Sequence, residues 1–571
     1  MYHFTHRFNA QLKRFSLLML LGLALIAILS APAPIGDRPA YARSFAAMAP
    51  VLFFTDLVSG PQTGGQDNLG AFITIYGEGF GATRGVSTVT IGGAEVAKYV
   101  SWGQDNGIAR NLDMIVVQPG STATTGSIVV TVDGLASNPL PFTIRSGQIY
   151  FVIPGATNAN DTNPGTYAEP FKTLYRPPGQ VVAGDIVYIK GGTFNTADPR
   201  YSGWDCVLCL FPDNDANGTA DAPIAYVGYP GDPPALGAPQ PMRRGLFLDQ
   251  VMAYYVFANL RFTHYGGTVE LAGNGHRLVG NYSYDGVYSN SGSIGISGNS
   301  AHYRIYGNRI RNTGQAGEKM NGSGFYVQGF GANADIDFGW NQIEDQRGSR
   351  AIQVYGHVDN DWVDNLRIHD NLLIGSELNN IVLGGSDGAT DVLGTVYVYN
   401  NLIIGAGDPG LRVNDPNGTV SIQHNVLYNN GTPGFAGSHA QVYIERAGTG
   451  KITFQDNIVY AGPDQTYFLI EAAVGTAAIN ASHNLVYNAG ACPAWDADCV
   501  NADPLFVNLS SGDFRLPASS PAINAGVATT ITRDYVGTSR PQGSGYDIGA
   551  YEYISGTLIL TPTLYLPLIR K

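Results

Sequence analysis

The chain is predicted to be all-β, with most of its length wound as a parallel β-helix, a solenoid of short strands. Three observations predict this. Asparagine recurs in one short pattern, at Asn259, Asn281, Asn308, Asn341, Asn371, Asn401, Asn425, Asn457 and Asn484, about 28 residues apart on average. Between the asparagines runs a second motif with alternating apolar residues: GTVELAG (267–273), GFYVQG (324–329), AIQVYG (351–356), NIVLGG (380–385), GLRVND (410–415) and QVYIER (441–446). Each repeat reads as two short strands and two turns, and no helix of useful length fits between them.

The asparagine has a physical reason in such a stack. Neighbouring coils pair their strands about 4.8 Å apart. A side-chain amide donates and accepts, so amides stacked at one turn can bond to one another and to the bent backbone. Leu, Val or Ile beside each Asn supplies the core. A β-propeller is the alternative fold, and ordinary asparagine turns are the plainer account of the pattern.

The repeat opens with DTNPGTYAEPFKTL (161–174) and GDIVYIKGGTF (184–194). It closes with NADPLFVNLSSGDFRLPASSPAINAG (501–526) and DYVGTSRPQGSGYDIGAYEY (534–553). On these segments, residues 149–553 resemble the right-handed parallel β-helix proteins of the pectate-lyase-like superfamily. The resemblance implies a right-handed, single-stranded parallel β-helix with a C-terminal cap. It implies no single reaction, because the superfamily holds lyases, hydrolases, epimerases and non-catalytic adhesins.

Residues 49–145 carry the strand signals FITIYG (72–77), STVTIGG (87–93), DMIVVQP (113–119), SIVVTVDG (127–134) and LPFTIRSG (140–147). This run resembles an IPT/TIG domain, a small immunoglobulin-like β-sandwich. The resemblance implies a spacer or binding module, and nothing in the segment looks catalytic. The boundary to the β-helix is expected near Ser146–Tyr150.

The start of the chain points to export. His6, Arg7, Lys13 and Arg14 precede the apolar run LLMLLGLALIAIL (17–29), and Ala40-Tyr41-Ala42 supplies a small-x-small signal. Residues 1–42 therefore read as a signal peptide cut before Arg43, with an uncleaved anchor as the alternative. No cysteine stands near the cut, which argues against a lipoprotein. Residues 554–571 form an apolar tail, too short to span a bilayer, suited to surface sorting or to covering a sheet edge. The expected location is secreted or cell-surface, as a monomer with no membrane span after signal cleavage.

The formal net charge is −13 over 571 residues, and cleavage removes four basic residues and one acidic one, making it three units more negative. Such a surface does not hold nucleic acid non-specifically. It also repels anionic polysaccharide unless a local basic patch or a bound cation reverses the sign. The four cysteines suggest disulfides in an exported chain. Local pairs, Cys206–Cys209 and Cys492–Cys499, would clamp two loops at opposite ends of the β-helix, with free buried thiols as the alternative. Zinc is disfavoured because no histidine has suitable spacing.

Calcium is the one cofactor the sequence suggests. In DNDANGTAD (213–221), Asp213, Asp215 and Asn217 alternate, Gly218 permits a tight turn, and Asp221 follows. Ile224 stands where an EF-hand has its glutamate, so a solvated acidic turn is the other reading.

The candidate site follows from strand alternation. Phe325, Val327, Ile352, Val354, Ile381, Leu383, Leu411, Val413, Val442 and Ile444 are expected inside. Tyr326, Gln328, Gln353, Tyr355, Arg412, Asn414 and Tyr443 are expected outside, with Glu270 and Glu445. Tyrosine faces stack on sugar rings and the polar groups read hydroxyls, so polysaccharide is the expected partner. The preceding turns hold Glu318, Lys319, Glu344, Asp345, Arg350 and Glu377. Lys319 or Arg350 could take a proton alpha to a uronate carboxylate. Two carboxylates among Glu318, Glu344, Asp345 and Glu377 would have to lie within about 9.5 Å for hydrolysis. The paired-aspartate and Gly-His-Gly motifs of polygalacturonase-like hydrolases are absent, as is the Trp-x-Asp-His motif of pectate lyases. The expected function is an exported polysaccharide-active protein, a lyase of acidic polysaccharide first, with a non-catalytic adhesin and a glycoside hydrolase as alternatives.

Overall fold

Runs of β-branched and aromatic residues broken by glycine and asparagine give strands and short 3-10 turns throughout the described residues. The computed structural model describes residues 49–555 except 104–106, 108–109, 111, 176–179, 202, 238–243, 264–267, 287–291, 318–321, 330–331, 357–361, 386–392, 415, 433–437, 447, 449 and 473. The expected signal peptide, nearly all of the apolar tail, and Glu318 and Lys319 lie outside the described residues. All described residues belong to one unit, Ser44–Lys571.

The N-terminal part is a sandwich of a four-stranded and a six-stranded sheet, built mainly from antiparallel pairs such as Ile73–Glu78 with Asp113–Gln118 and Thr88–Ile91 with Gly126–Val132. Ile75, Val89, Ile115, Val130 and Phe142 are among the side chains that fill it.

The rest is a right-handed parallel β-helix with three parallel sheets of 13, 12 and 10 strands. Each full coil therefore gives three strands, not two. The asparagine turn is where the sequence reading joined two strands into one: Ala301–Tyr306 and Arg309–Arg311 flank Asn308 and belong to different sheets. The ten residues expected inside are all buried in one continuous core.

The asparagine ladder is real but eight residues long. From Asn281 to Asn457 each Nδ2 donates to Oδ1 of the next ladder asparagine at 2.9–3.0 Å. That same oxygen also accepts the preceding asparagine's main-chain N–H. Asn484 closes the series on Asp496 Oδ2 at 3.0 Å. Asn259, the expected ninth member, stands one residue early. Leu260 fills the ladder slot, and its N–H donates to Asn281. Asn259 has φ +56° and turns toward the sandwich, where it accepts from Tyr76 and donates to Asp56.

The sandwich is not a free spacer. One outward column of the first sheet runs Phe151, Tyr188, Val227, Ala258 and Val279 in register. These residues share a core with Leu52, Phe54, Phe72 and Tyr76 of the sandwich. Tyr188 accepts the Phe72 N–H at 2.8 Å and donates to its carbonyl at 3.1 Å. Beyond Val279 the column turns polar, to Tyr306, Gly339, His369 and Tyr399.

The C-terminal cap folds back over the outer face of the second sheet. Phe514, Leu516, Ala522, Ile548 and Tyr551 pack on Leu372, Leu402, Val426, Ile458 and Leu485, which are outward-facing apolar residues. The first and second sheets are thus each covered over part of their length, by the sandwich and by the cap.

Candidate functional site

The third sheet carries the strip that the sequence singles out. Its central outward column runs in unbroken register: Cys209, Phe247, Glu270, Gly295, Tyr326, Gln353, Val382, Arg412, Tyr443 and Leu469. Tyr326, Gln353, Arg412 and Tyr443 therefore share one line at about 4.8 Å per coil. Tyr326 and Gln353, expected on the exposed strip, are nonetheless buried, as is Val382 on the rung between Gln353 and Arg412. Gln328 and Tyr355 are paired on the parallel outward line, with Gly384 as the next rung. A Cβ at Gly384 would come within 2.4 Å of Asn414, so glycine there lets Asn414 close in. Asn414 is buried.

Arg350 joins this group from the preceding turn. Its Nη1 donates to Gln353 Oε1 at 3.2 Å, and Ser323 donates to the same oxygen at 2.9 Å. Burial pushes the Arg350 guanidinium below its ordinary value. The positive charge of Arg412 adds to that, and Asp408, Tyr355 and Tyr326 oppose it. The Arg350 Nε is buried and has no hydrogen-bond partner among the described residues. Tyr326 is itself pushed up to about 12, by burial first and then by Tyr355. Two guanidiniums thus sit beside two phenols on an otherwise acidic chain. Arg412 is paired with Glu445 and lies 5.7 Å over the Tyr443 ring, whose hydroxyl donates to Glu471 at 2.9 Å.

Glu344 and Asp345 belong elsewhere. Glu344 lies on the second sheet, where Arg309 Nε donates to it at 2.6 Å, and Asp345 is 3.8 Å from Arg311. Their charge partners are Arg309, Arg311 and Arg347, not Arg350. Glu377 ties turns together by accepting the Gly317 and Gly348 amides at 3.0 and 2.6 Å.

The 213–221 loop is held by protein groups. Asp215 accepts from Arg200 at 3.1 Å and from Tyr201 at 2.7 Å. Asn217 accepts the Ala253 amide and donates to the Val251 carbonyl. Asp213 and Asp221 are exposed. Arg200 therefore supplies the counter-charge that an ion would bring, and no group of three or more His, Cys, Asp and Glu side chains is arranged for a metal among the described residues. Both local disulfides, Cys206–Cys209 and Cys492–Cys499, are formed.

Two features escaped the sequence. A second amide chain runs under the turn before the third-sheet strands: Asn430 donates to Gln441 at 2.9 Å, and Gln441 to Gln465 at 2.7 Å. Mixed Asn and Gln at uneven spacing hide it. The other is a buried His369, bonded to Asp370 and Asp337 at 2.7 and 2.8 Å. His-Asp before Asn371 was its only trace.

The IPT/TIG domain family matches residues 55–144, and the right handed beta helix region matches residues 292–489. The chain joins an IPT/TIG domain to a right-handed β-helix. No curated protein matches the sequence. Among solved structures, a pectate lyase is 16% identical, with 71% of this chain and 96% of that chain covered and a TM-score of 0.42. A rhamnogalacturonan lyase is 12% identical (65% and 95% covered, TM-score 0.32). A complex of XylC with xylose is 10% identical (71% and 98% covered, TM-score 0.36). Likenesses this distant leave reaction and substrate open. No helix among the described residues is long and apolar enough to cross a membrane.

Proposed function

We propose that this is an exported protein that binds an extended polysaccharide along the third sheet of its IPT/TIG-flanked β-helix. The observation that carries the reading is the single column of Tyr326, Gln353, Arg412 and Tyr443, with Arg350 against Gln353. A repeating polymer matches a repeating surface, rung for rung. The part-exposed Tyr443 ring offers a stacking face, and the guanidiniums favour a carboxylate-bearing sugar over a neutral one. The two disulfides fit an oxidising compartment.

Lyase chemistry is the reading for turnover. Arg350 has a depressed affinity for its proton and a buried, unpartnered Nε, and Lys319 lies four residues before Ser323, which bonds Gln353. A base there would take the proton alpha to a uronate carboxylate, and the second cation would stabilise the enolate. The bond to the glycosidic oxygen would break as the ring double bond forms, that oxygen taking its proton from solvent. Hydrolysis is less favoured, because Glu344 and Asp345 stand on another sheet face with their own arginines.

The deciding experiment incubates the purified protein, from Arg43 onward, with uronate-containing and neutral glycans. Ultraviolet absorbance from unsaturated ends is the expected result. New reducing ends without absorbance would mean hydrolysis, and binding without either would mean an adhesin. No binding to any member would overturn the proposal.

A further inference from the structure

The third-sheet column does not begin at Tyr326. Three rungs earlier it passes Phe247, and that end of the sheet is built differently from the rest. Cys206, Cys209 and Phe211 form a small apolar cluster of their own, separate from the main core, with Tyr201 and Phe247 packed against it. It lies on the outer side of the sheet, where Cys209 and Phe247 are successive rungs. The Trp204 ring rests on this cluster, 4.6 Å from Phe247 and 4.9 Å from Phe211.

Trp204 is nonetheless 40% exposed, and it is the most exposed of the described tryptophans. An aromatic floor that needed only to shield the disulfide could end at Phe211 and Phe247. Here a further large ring lies on top and faces water. Its rim is polar: Arg244 donates to Glu270 at 2.5 Å, and its guanidinium carbon is 5.8 Å from the Trp204 ring. The next rung, Gly295, is buried and carries no side chain, so nothing projects from the sheet between Glu270 and Tyr326.

We infer that Trp204 is an end platform of the polysaccharide groove, holding a sugar ring three units away from the one at Tyr326. The inference rests on the proposed binding along the third sheet and extends it. Rungs of about 4.8 Å suit one ring each, so the ring at Tyr326 and the ring at the Phe247 rung are about 14 Å apart. The apolar face of a pyranose lies flat on an indole with little ordering cost, because the ring is already fixed by Phe211 and Phe247. The Arg244–Glu270 pair, with both side chains part-exposed, offers a donor and an acceptor to hydroxyls at the next rung.

The test compares Trp204→Ala and Trp204→Phe with wild type, using polygalacturonate and a galacturonate tetramer as probes and xylan as the uncharged comparison. The polymer spans the whole column, whereas a tetramer covers only Tyr326 to Arg412. Trp204→Ala is expected to weaken polymer binding about tenfold and to leave tetramer binding within twofold, while Trp204→Phe retains most of the polymer affinity. Polymer should also protect wild-type fluorescence from acrylamide quenching, down to the level seen in Trp204→Phe. Equal melting temperatures for the three proteins would exclude a folding effect. Where melting falls in Trp204→Ala, the quenching result on wild type decides. Polymer binding with Trp204 still fully quenchable, or unchanged in Trp204→Ala while Tyr326→Ala loses it, would overturn the platform and leave the groove standing. Failure of the wild type to bind any of the three probes would overturn the platform and count against the proposed groove as well.

Discussion

Arg110 of the IPT/TIG domain donates from Nη2 to the main-chain carbonyl of Tyr535 in the C-terminal cap at 2.6 Å, and its guanidinium lies 3.4 Å over the Tyr535 ring. Asp370 of the β-helix and Glu78 supply counter-charge to the same guanidinium. One buried side chain therefore joins three parts of the chain that are far apart in sequence. Arg110→Met should leave the Tyr535 carbonyl without its donor and remove the ring contact, at a cost of about 1–3 kcal/mol. Urea unfolding would read the loss. Trypsin should cut faster near Arg145, between domain and β-helix. An unchanged midpoint and unchanged cleavage would show that the junction is held by apolar packing alone.

The ladder makes a paired prediction. Asn371→Leu removes a central amide whose Nδ2 serves Asn401 and the Phe338 carbonyl and whose Oδ1 serves Asn341. It should destabilise by about 1–3 kcal/mol. Asn259→Asp keeps a residue that tolerates the left-handed backbone and leaves the ladder whole, but it removes the amide that donates to Asp56 and Thr74 and sets a second carboxylate against Asp56. It should therefore loosen the IPT/TIG domain selectively, which hydrogen exchange of the Ile73–Glu78 strand would detect before the β-helix core responds.

Much of this was legible in the sequence, for a stated reason. A solenoid repeats its turn chemistry, so Asn308, Asn341 and Asn371 appear at the same place in each coil, and strand alternation sorts Phe325 from Tyr326. Alignment failed at Asn259 because YVFANLRF places its asparagine at the left-handed position, with Leu260 in the ladder slot. Docking of the IPT/TIG domain was hidden differently. IVYI (186–189) and YVFA (255–258) are apolar at every position, which marks a strand covered on both faces, but an apolar run alone does not name its second cover. Glu344 was misplaced because only five residues separate it from Arg350 in sequence, while the coil leaves Glu344 at the end of a second-sheet strand and Arg350 in the turn before the third sheet.

His369 predicts a pH dependence. Both ring nitrogens lie within hydrogen-bond distance of carboxylate oxygens, so both donate and the imidazole is charged. Burial alone would push it down, but the Asp337 charge and the bonds to Asp337 and Asp370 hold it up at about 9. A raised histidine adds stability that is fully present below about pH 6.5 and is lost as pH rises through 9. Asp456 acts in an earlier window. Burial raises it to about 7, against the Val527 amide and Arg540, so its contribution declines between about pH 4 and 7. Asp456→Asn should reduce the first decline by its own share, because Asp56, Asp496, Asp534 and Asp547, each raised by burial to about 6, fall in the same window. His369→Gln should flatten the second, each read by urea unfolding across pH 4 to 10. A slope that neither variant alters would refute both assignments.

The 213–221 loop should behave as a pinned turn. Asp215 is already met by Arg200 and Tyr201, so millimolar calcium and chelator are expected to give the same melting temperature. Arg200→Ala should lower it by removing the cation that Asp198 and Asp215 share. A rise of several degrees with calcium in wild type, lost in Asp215→Ala, would instead establish an ion at Asp213, Asp215, Asn217 and Asp221.

The last prediction separates binding from chemistry on the third sheet. Tyr326 and Gln353 are adjacent rungs, and Gln353 is fixed from behind by Ser323 and Arg350. Tyr326→Ala removes the phenol that packs beside Gln353 and should raise KM about tenfold with kcat little changed, because ground state and transition state lose the same contact. Lys319→Ala should do the reverse, abolishing turnover while polygalacturonate still binds. Arg350→Lys is the sharper variant. It keeps the positive charge but removes the planar fork that reaches Gln353, so an enolate-stabilising role predicts a fall in kcat of about 10²-fold or more with binding retained. Loss of binding in step with kcat would place Arg350 among the groups that hold the glycan. Full activity in Lys319→Ala would remove that residue from the reaction.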